Sequence, residues 1–425
     1  MGWFYVSAAV EAAALILLRT SLTRPFFFHR FAEIYSVLTV AFCFSCVFLV
    51  RKKVRPGLAA IVLSSLLLRA LLWVNQPLLS NDVHRYIWDG SLLIHGKNPI
   101  ALAPADPSLS ELAKEVPLPP DHREVASVYP PLSLLLFASL SKIAPEPLIF
   151  GVTMTLFDAL STLFLVLLLR KRRMPEVLSL LYAWHPLAIV ESAHSAHVDS
   201  LGIFFLILTL YFLHRHPARQ ALSAAAAALT KIWPAMLLPL FLDKTRRSSG
   251  TLILSAFFFF IPVLAFWSHA GHFSGLGVYL QTWEFNGSVY KILRIFLDSS
   301  DVRRVSVLLF FFGWAACVYR RITVPSFSYE KGALFAIGLF LLLSPVVYPW
   351  YTLWLLPFLV FEARVEWIYF TLAIASSYAV LPNYLNAHVW REPVWPSLLT
   401  YLPLYGGLCV RIAHRFLRIQ KSPLS

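Results

Sequence analysis

Residues 80–99 read SNDVHRYIWDGSLLIHGKNP, a charged stretch in a chain that is otherwise mostly apolar. Ser80 or Asn81 suits a helix N-cap. A 3.6-residue period from there puts Asp82, Arg85, Tyr86, Asp89 and Leu93 on one side and Val83, Ile87 and Ile94 on another. A helix with one wet and one aliphatic face suits a membrane surface. The expectation is therefore an interfacial helix with its aliphatic side in the bilayer boundary, its carboxylates toward a water-filled cavity and Trp88 at headgroup level.

The surroundings demand a membrane. Of 425 residues, 58% are hydrophobic and 14% charged, with a mean hydropathy of +0.68. No soluble globular domain needs such a composition, so the chain reads as one integral membrane domain, residues 1–425. The net charge of +14 stands in short clusters between apolar segments: Arg51–Arg55, Arg170–Arg173, Arg215–Arg219, Arg246-Arg247, Arg320-Arg321, Arg364 and the tail from Arg411 to Lys421. There they orient spans and attract anionic lipid headgroups; nucleic acid is not an expected partner. Cys43, Cys46, Cys317 and Cys409 all fall in apolar segments, which suggests neither a disulfide framework nor a zinc knuckle. The first segment lacks a basic leader and carries Glu11, so it reads as a retained span rather than a cleaved signal.

Fourteen apolar segments lie between residues 3 and 413, all helical because lipid leaves no other partner for the backbone. If all of them crossed, the basic clusters would fall on both sides. Two segments resolve this. Segment 131–144 is short, opens on Tyr129-Pro-Pro131 and ends at Lys142, as an interfacial helix of the preceding loop would. Segment 218–242 is broken at Lys231-Ile-Trp-Pro234 and basic at both ends, as a re-entrant segment would be. The expected fold is all-α and polytopic, with about twelve crossings and both termini cytoplasmic; the loop with Arg19, Arg24 and Arg30 is the exception to the charge rule. This arrangement puts a first large loop, 76–146, a second, 269–303, and the short stretches 194–198 and 346–350 outside. The first loop holds eight of the chain's 22 acidic residues.

Several residues there suit chemistry. Asp82, directly after the third span, is placed to take a proton from a hydroxyl or, equally, to complement a helix amino end. Asp89 shares its face with Asp82 and Arg85, or forms an exposed ion pair with Arg85. The stretch Glu191-Ser-Ala-His194-Ser-Ala-His197-Val-Asp199 has a metal-like spacing but no third strong ligand, so polar lining of a cavity is the better fit and no metal is expected. Lys231 interrupts an apolar run and suits a lipid phosphate, or else snorkels from a broken helix. Ser344-Pro-Val-Val-Tyr348-Pro-Trp350-Tyr351 offers stacked aromatics for a sugar ring, or an interfacial aromatic belt. Trp283-Glu-Phe-Asn-Gly-Ser288 is a weaker candidate for the same cavity.

Asn81-Asp-Val-His-Arg-Tyr-Ile-Trp-Asp-Gly90, Gly96-Lys-Asn-Pro99 and Val128-Tyr-Pro-Pro-Leu132 resemble the first outer loop of polytopic GT-C glycosyltransferases, in particular family 87-like and polyprenol-phosphate-mannose-dependent α-mannosyltransferases. The likeness continues through Ala193–Asp199, Leu229–Pro234 and Ser344–Tyr351, over about residues 57 to 360. Ile100 and Tyr348 depart from its usual Tyr and His. The resemblance implies a hexosyltransferase of the cytoplasmic membrane with its active site on the periplasmic or extracellular side. It would take mannose from a polyprenyl-phosphate donor to a lipid or glycan hydroxyl, probing membrane lipids for its substrates and inverting the anomeric centre without a cofactor. It assigns Asp82 as base, with Arg85 and Lys231 on the departing phosphate. Tyr86, Asp89, His194, His197, Asp199, Tyr348, Trp350 and Tyr351 then surround the substrates, and Asp89 with His194 or His197 orients sugar hydroxyls. The competing class is a transporter or lipid flippase, which explains Lys231 and the broken spans but not a carboxylate-rich helix outside the spans.

Overall fold

The protein was analysed as a computed structural model that describes residues 1–22, 28–213, 215–242, 246–267 and 274–420. Arg24, residues 269–273 of the second loop, Lys421 and the side chains of Arg246 and Arg247 lie outside the described residues. Among the described residues every regular element is helical, and the only extended pairing is a bridge of Phe285 and Asn286 with Val346. The protein is an all-α polytopic membrane protein.

Among the described residues five helical stretches are long and apolar enough to cross a bilayer: Gly2–Ser21, Phe28–Arg51, Pro147–Lys171, Ser299–Thr323 and Val365–Ala387. The first two form a hairpin. Phe4, Leu15 and Leu18 pack inward with Phe31, Leu38 and Phe42, while Val10, Leu17, Val40 and Phe44 stay exposed. Outward-facing apolar side chains on both helices are what a lipid-facing surface requires.

Other apolar segments are broken, and the breaks follow the chemistry of the chain. Segment 176–193 is a series of short pieces, Glu176–Ser179, Leu180–Ala183 and Pro186–Ile189, then a π-helical turn at Val190–His194. Pro186 has no N–H to continue the ladder. The irregular backbone is buried in protein, the one setting where a membrane tolerates it. Arg69, wholly buried, ties the pieces together: its Nε donates to Asp158 Oδ2 (2.9 Å) and Ser192 Oγ (3.2 Å), and Nη1 donates to the Ala183 carbonyl (2.7 Å).

Segment 218–242 turns back on itself, as its broken pattern suggests. Helix Pro217–Thr230 ends where Lys231 adopts extended backbone, and a 3-10 stretch, Trp233–Phe241, follows. Lys231 meets Asp199 at the start of helix Asp199–Phe212, whereas Phe241 stacks on Tyr329 at the start of helix Tyr329–Leu343.

The helix expected from Ser80 or Asn81 runs Asp82–Ile94, and the Asp82 N–H reaches Ser80 Oγ at 3.2 Å. Its setting corrects the interfacial expectation. Val83, Tyr86 and Ile87 are buried against helix Pro131–Ile143, with the Tyr86 ring stacked 4.3 Å from Phe137. Trp88, expected at headgroup level, is fully buried beneath Leu109 and Leu112 of the same loop. Gly90 marks the crossing, since a Cβ there would lie 2.5 Å from the Phe137 carbonyl. The loop folds over the helix and takes the apolar area that sequence periodicity alone offers to lipid.

Candidate active site

A cavity of about 1100 Å³ opens between the Asp82 helix, the Lys231 bend and the irregular stretch before helix Leu356–Leu359. Asp82, Arg85, Lys231, Tyr348, Trp350 and Tyr351 line it. Asp82 stands on the first residue of its helix with 37% of its side chain exposed, whereas Asp89 and Asp199 are fully buried. Its recessed position pushes its pKa up from the usual carboxylate range to about 6; burial is the main cause, with Lys231 acting in the opposite direction.

The cations are held by buried partners. Lys231 Nζ lies 2.7 Å from Asp199 Oδ2 and 4.9 Å from the centre of the Tyr351 ring. The other oxygen of Asp199 accepts from Trp354 Nε1 at 2.6 Å, an approach that depends on Gly202, where a Cβ would sit 2.3 Å from the indole. Arg85 Nε donates to Asp89 Oδ1 at 2.7 Å, and Arg85 Nη2 has no hydrogen-bond partner among the described residues. Burial raises the Asp89 pKa and Arg85 opposes the rise. Each cation therefore has one donor committed to a carboxylate; Arg85 Nη1 also donates to the His122 carbonyl (3.5 Å), and Lys231 keeps donors for an incoming anion.

The opposite wall is aromatic. His197, Trp350, Tyr348 and Phe285 stack in a column with ring centres 3.8, 4.5 and 4.9 Å apart. Backbone pairing holds the end of that column: Phe285 N–H donates to the Pro345 carbonyl (3.0 Å), and Val347 N–H donates to the Phe285 carbonyl (2.8 Å). The segment Trp283-Glu-Phe285 thus joins the wall. Tyr279 and Tyr351 hydroxyls meet at 2.5 Å, and Tyr384 and Asn81 both donate to Asp121 at the mouth.

Not every residue named from sequence reaches the cavity. Tyr86, Asp89, His194, His197 and Asp199 are buried behind its wall. His194 Nε2 accepts the Leu78 N–H at 3.1 Å, and Asp199 has both oxygens engaged. Of the residues expected to orient sugar hydroxyls, Asp89, His194 and His197 are off the cavity lining, and His197 is stacked on the lining residue Trp350. Sequence reasoning passed over Trp354, Tyr378, Arg69 and Asp158, and gave Glu191 no role beyond the polar stretch that it opens. Arg69 and Asp158 carried a usable signal, ionisable groups inside apolar runs; Tyr378 carried none.

Among the described residues no three His, Cys, Asp or Glu side chains gather as a metal-binding group. Residues 3–243, more than half of the chain, match the model of the MptA_B family, described as alpha-(1->6)-mannopyranosyltransferase, N-terminal domain. No curated protein matches the chain.

Proposed function

The chain belongs to the MptA_B family of alpha-(1->6)-mannopyranosyltransferases, and from that premise we propose that it moves mannose from a polyprenyl-phosphate donor to a lipid or glycan hydroxyl on the outer side of the cytoplasmic membrane, with inversion. The observation that carries this reading is the pairing in one cavity of a raised carboxylate, Asp82, with two cations, Lys231 and Arg85. Twelve crossings with cytoplasmic termini bring that cavity to the level of a lipid phosphate on the outer surface.

In this reading Asp82 takes the proton of the acceptor hydroxyl as that oxygen attacks C1 and the C1–O bond to phosphate breaks. Positive charge develops on the ring, as in other glycosyl transfers. The leaving phosphate gathers negative charge, which the Lys231 ammonium, with the Arg85 charge beside it, stabilises in a poorly solvated site. The faces of Tyr348 and Trp350 are taken up by the stack, and their edges give the sugar an apolar wall.

The test is incubation of purified protein in lipid with labelled polyprenyl-phosphate mannose and an α-mannoside acceptor. A labelled mannoside product is expected, and Asp82→Asn protein should bind the donor and transfer nothing. Equal transfer by Asp82→Asn protein, or transfer from a nucleotide sugar alone, would overturn the reading. Vesicle uptake that survives Asp82→Asn would instead favour a transporter.

A further inference from the structure

Behind Asp82 runs a chain of buried polar side chains whose far member, Tyr378, returns to the cavity lining. Tyr378 donates to Glu191 Oε1 at 2.6 Å. Glu191 Oε2 lies 3.3 Å from His197 Nε2, and His197 Nδ1 lies 3.5 Å from Asp82 Oδ2. Neither Glu191 Oε2 nor His197 Nε2 makes a hydrogen bond among the described residues, the 3.3 Å contact between them being a close approach alone. Glu191 is fully buried and His197 is 1% exposed, so neither can meet a substrate. The ring is clamped by Trp350, stacked at 3.8 Å, and the Glu191 turn is held through Ser192 by Arg69.

We propose that Glu191 is a positioning residue that acts through His197 on the base Asp82, fixing the imidazole with its Nδ1–H toward the Asp82 carboxylate. The inference rests on Asp82 being the base. Nδ1 lies within reach of both Tyr86 OH (3.4 Å) and Asp82 Oδ2 (3.5 Å), so the place of the ring proton is set from the Glu191 end. Tyr378 donates to Oε1, which makes Oε1 the acceptor end of the Glu191 carboxyl and leaves Oε2 to face the ring. Burial keeps the imidazole neutral, so only one ring nitrogen carries a proton. A Glu191 carboxyl with its proton on Oε2 donates to Nε2, which sends the ring proton to Nδ1 and toward Asp82 Oδ2. That donation favours the ionised form of Asp82 and holds Oδ2, so that Oδ1 is the oxygen left for the acceptor's proton. The other groups that face Asp82 are Arg85 and Tyr86 on its own helix, Tyr129 of the outer loop, Asp199 and Lys231. Tyr86 OH also lies 3.4 Å from Nδ1 and holds the ring edge from the same side.

The comparison that tests this is the pH profile of kcat for wild type, Glu191→Ala, Glu191→Gln and Asp82→Asn, with elution from size exclusion as the check of folding. Gln keeps both contacts, an acceptor oxygen for Tyr378 and an N–H for Nε2, so it should stay within about threefold of wild type with an unmoved acidic limb. Glu191→Ala should lose about tenfold or more in kcat with little change in donor KM. Its acidic limb should move up by about one pH unit, because a carboxylate that loses a donor binds its proton more tightly. A Glu191→Ala profile that overlays wild type overturns the proposal, as does a folded Glu191→Gln protein as impaired as Ala. If Glu191→Ala does not elute as wild type, His197→Ala replaces it, since it removes the Nδ1 donor directly and must show the same upward limb. Full activity in Asp82→Asn would sink the base assignment itself; an inactive Asp82→Asn beside an unshifted Glu191→Ala would sink the positioning role alone.

Discussion

The two walls of the cavity are built in different ways. One, from the Asp82 helix to Lys231, is made of ionisable groups in buried pairs: Arg85 with Asp89, Lys231 with Asp199, and Asp82 with His197. The other, from Tyr279 to Tyr384, is made chiefly of rings. The first wall lies within residues 3–243, which match the family, and the second lies beyond them. Under the proposed function the contrast is a division of labour, with protons and phosphate handled at the charged wall and shape supplied by the aromatic one. Substitutions in the first should change rate and pH response, and substitutions in the second should change apparent affinity.

The largest expected effect falls on the charged wall. Asp82→Asn should lower kcat by about 10²–10⁴-fold, the usual worth of a general base, in a single-turnover assay with bound donor lipid. A comparable loss from Tyr348→Ala would erase the contrast. Next comes Lys231→Ala, which leaves the Asp199 carboxylate buried without its cation. Loss of one partner of such a pair costs about 3–5 kcal/mol, read as a lower unfolding temperature in detergent. Adding Asp199→Asn should recover most of that stability but not activity. If the double variant regained transfer, Lys231 would be a structural cation only.

The pH response sharpens the same point. A base works when ionised, and the Asp82 pKa is raised to about 6, so kcat should be flat above that pH and fall as pH drops through it, approaching tenfold per unit. An acidic limb near the ordinary carboxylate range would place the base elsewhere. Tyr348→Ala should raise the sugar-substrate KM by about fivefold, in keeping with the worth of one ring contact, and leave the pH profile in place. The smallest expected effect is that of EDTA, which should leave transfer unchanged; a loss restored by a divalent ion would add a metal to the charged wall.

The two walls also differ in how far they were readable. Asp82, Arg85 and Lys231 stood out because a charge in an apolar chain needs a reason, and their spacing put two of them on one helix face. Glu191 and His197 stood in a recognisable polar stretch, yet whether they face a substrate or the back of Asp82 depends on a π-helical turn that no periodicity announces. The fate of Trp88 shows the same limit from the apolar side. Its place on the helix followed from the period, but whether lipid or Leu109 and Leu112 would cover it depended on how the loop returns.

By itself the sequence determined the helical membrane character, the Asp82 helix, the bend at Lys231 and the chemistry available in the outer loops, because these follow from hydropathy, helical period and the cost of a charge in lipid. Tertiary structure alone decided which polar groups meet. Trp354 reaches Asp199 across 155 positions and Tyr378 reaches Glu191 across 187. Partners so far apart are selected by packing, through a missing Cβ at Gly202 and a clamped ring at His197, and no local pattern in the chain records that choice.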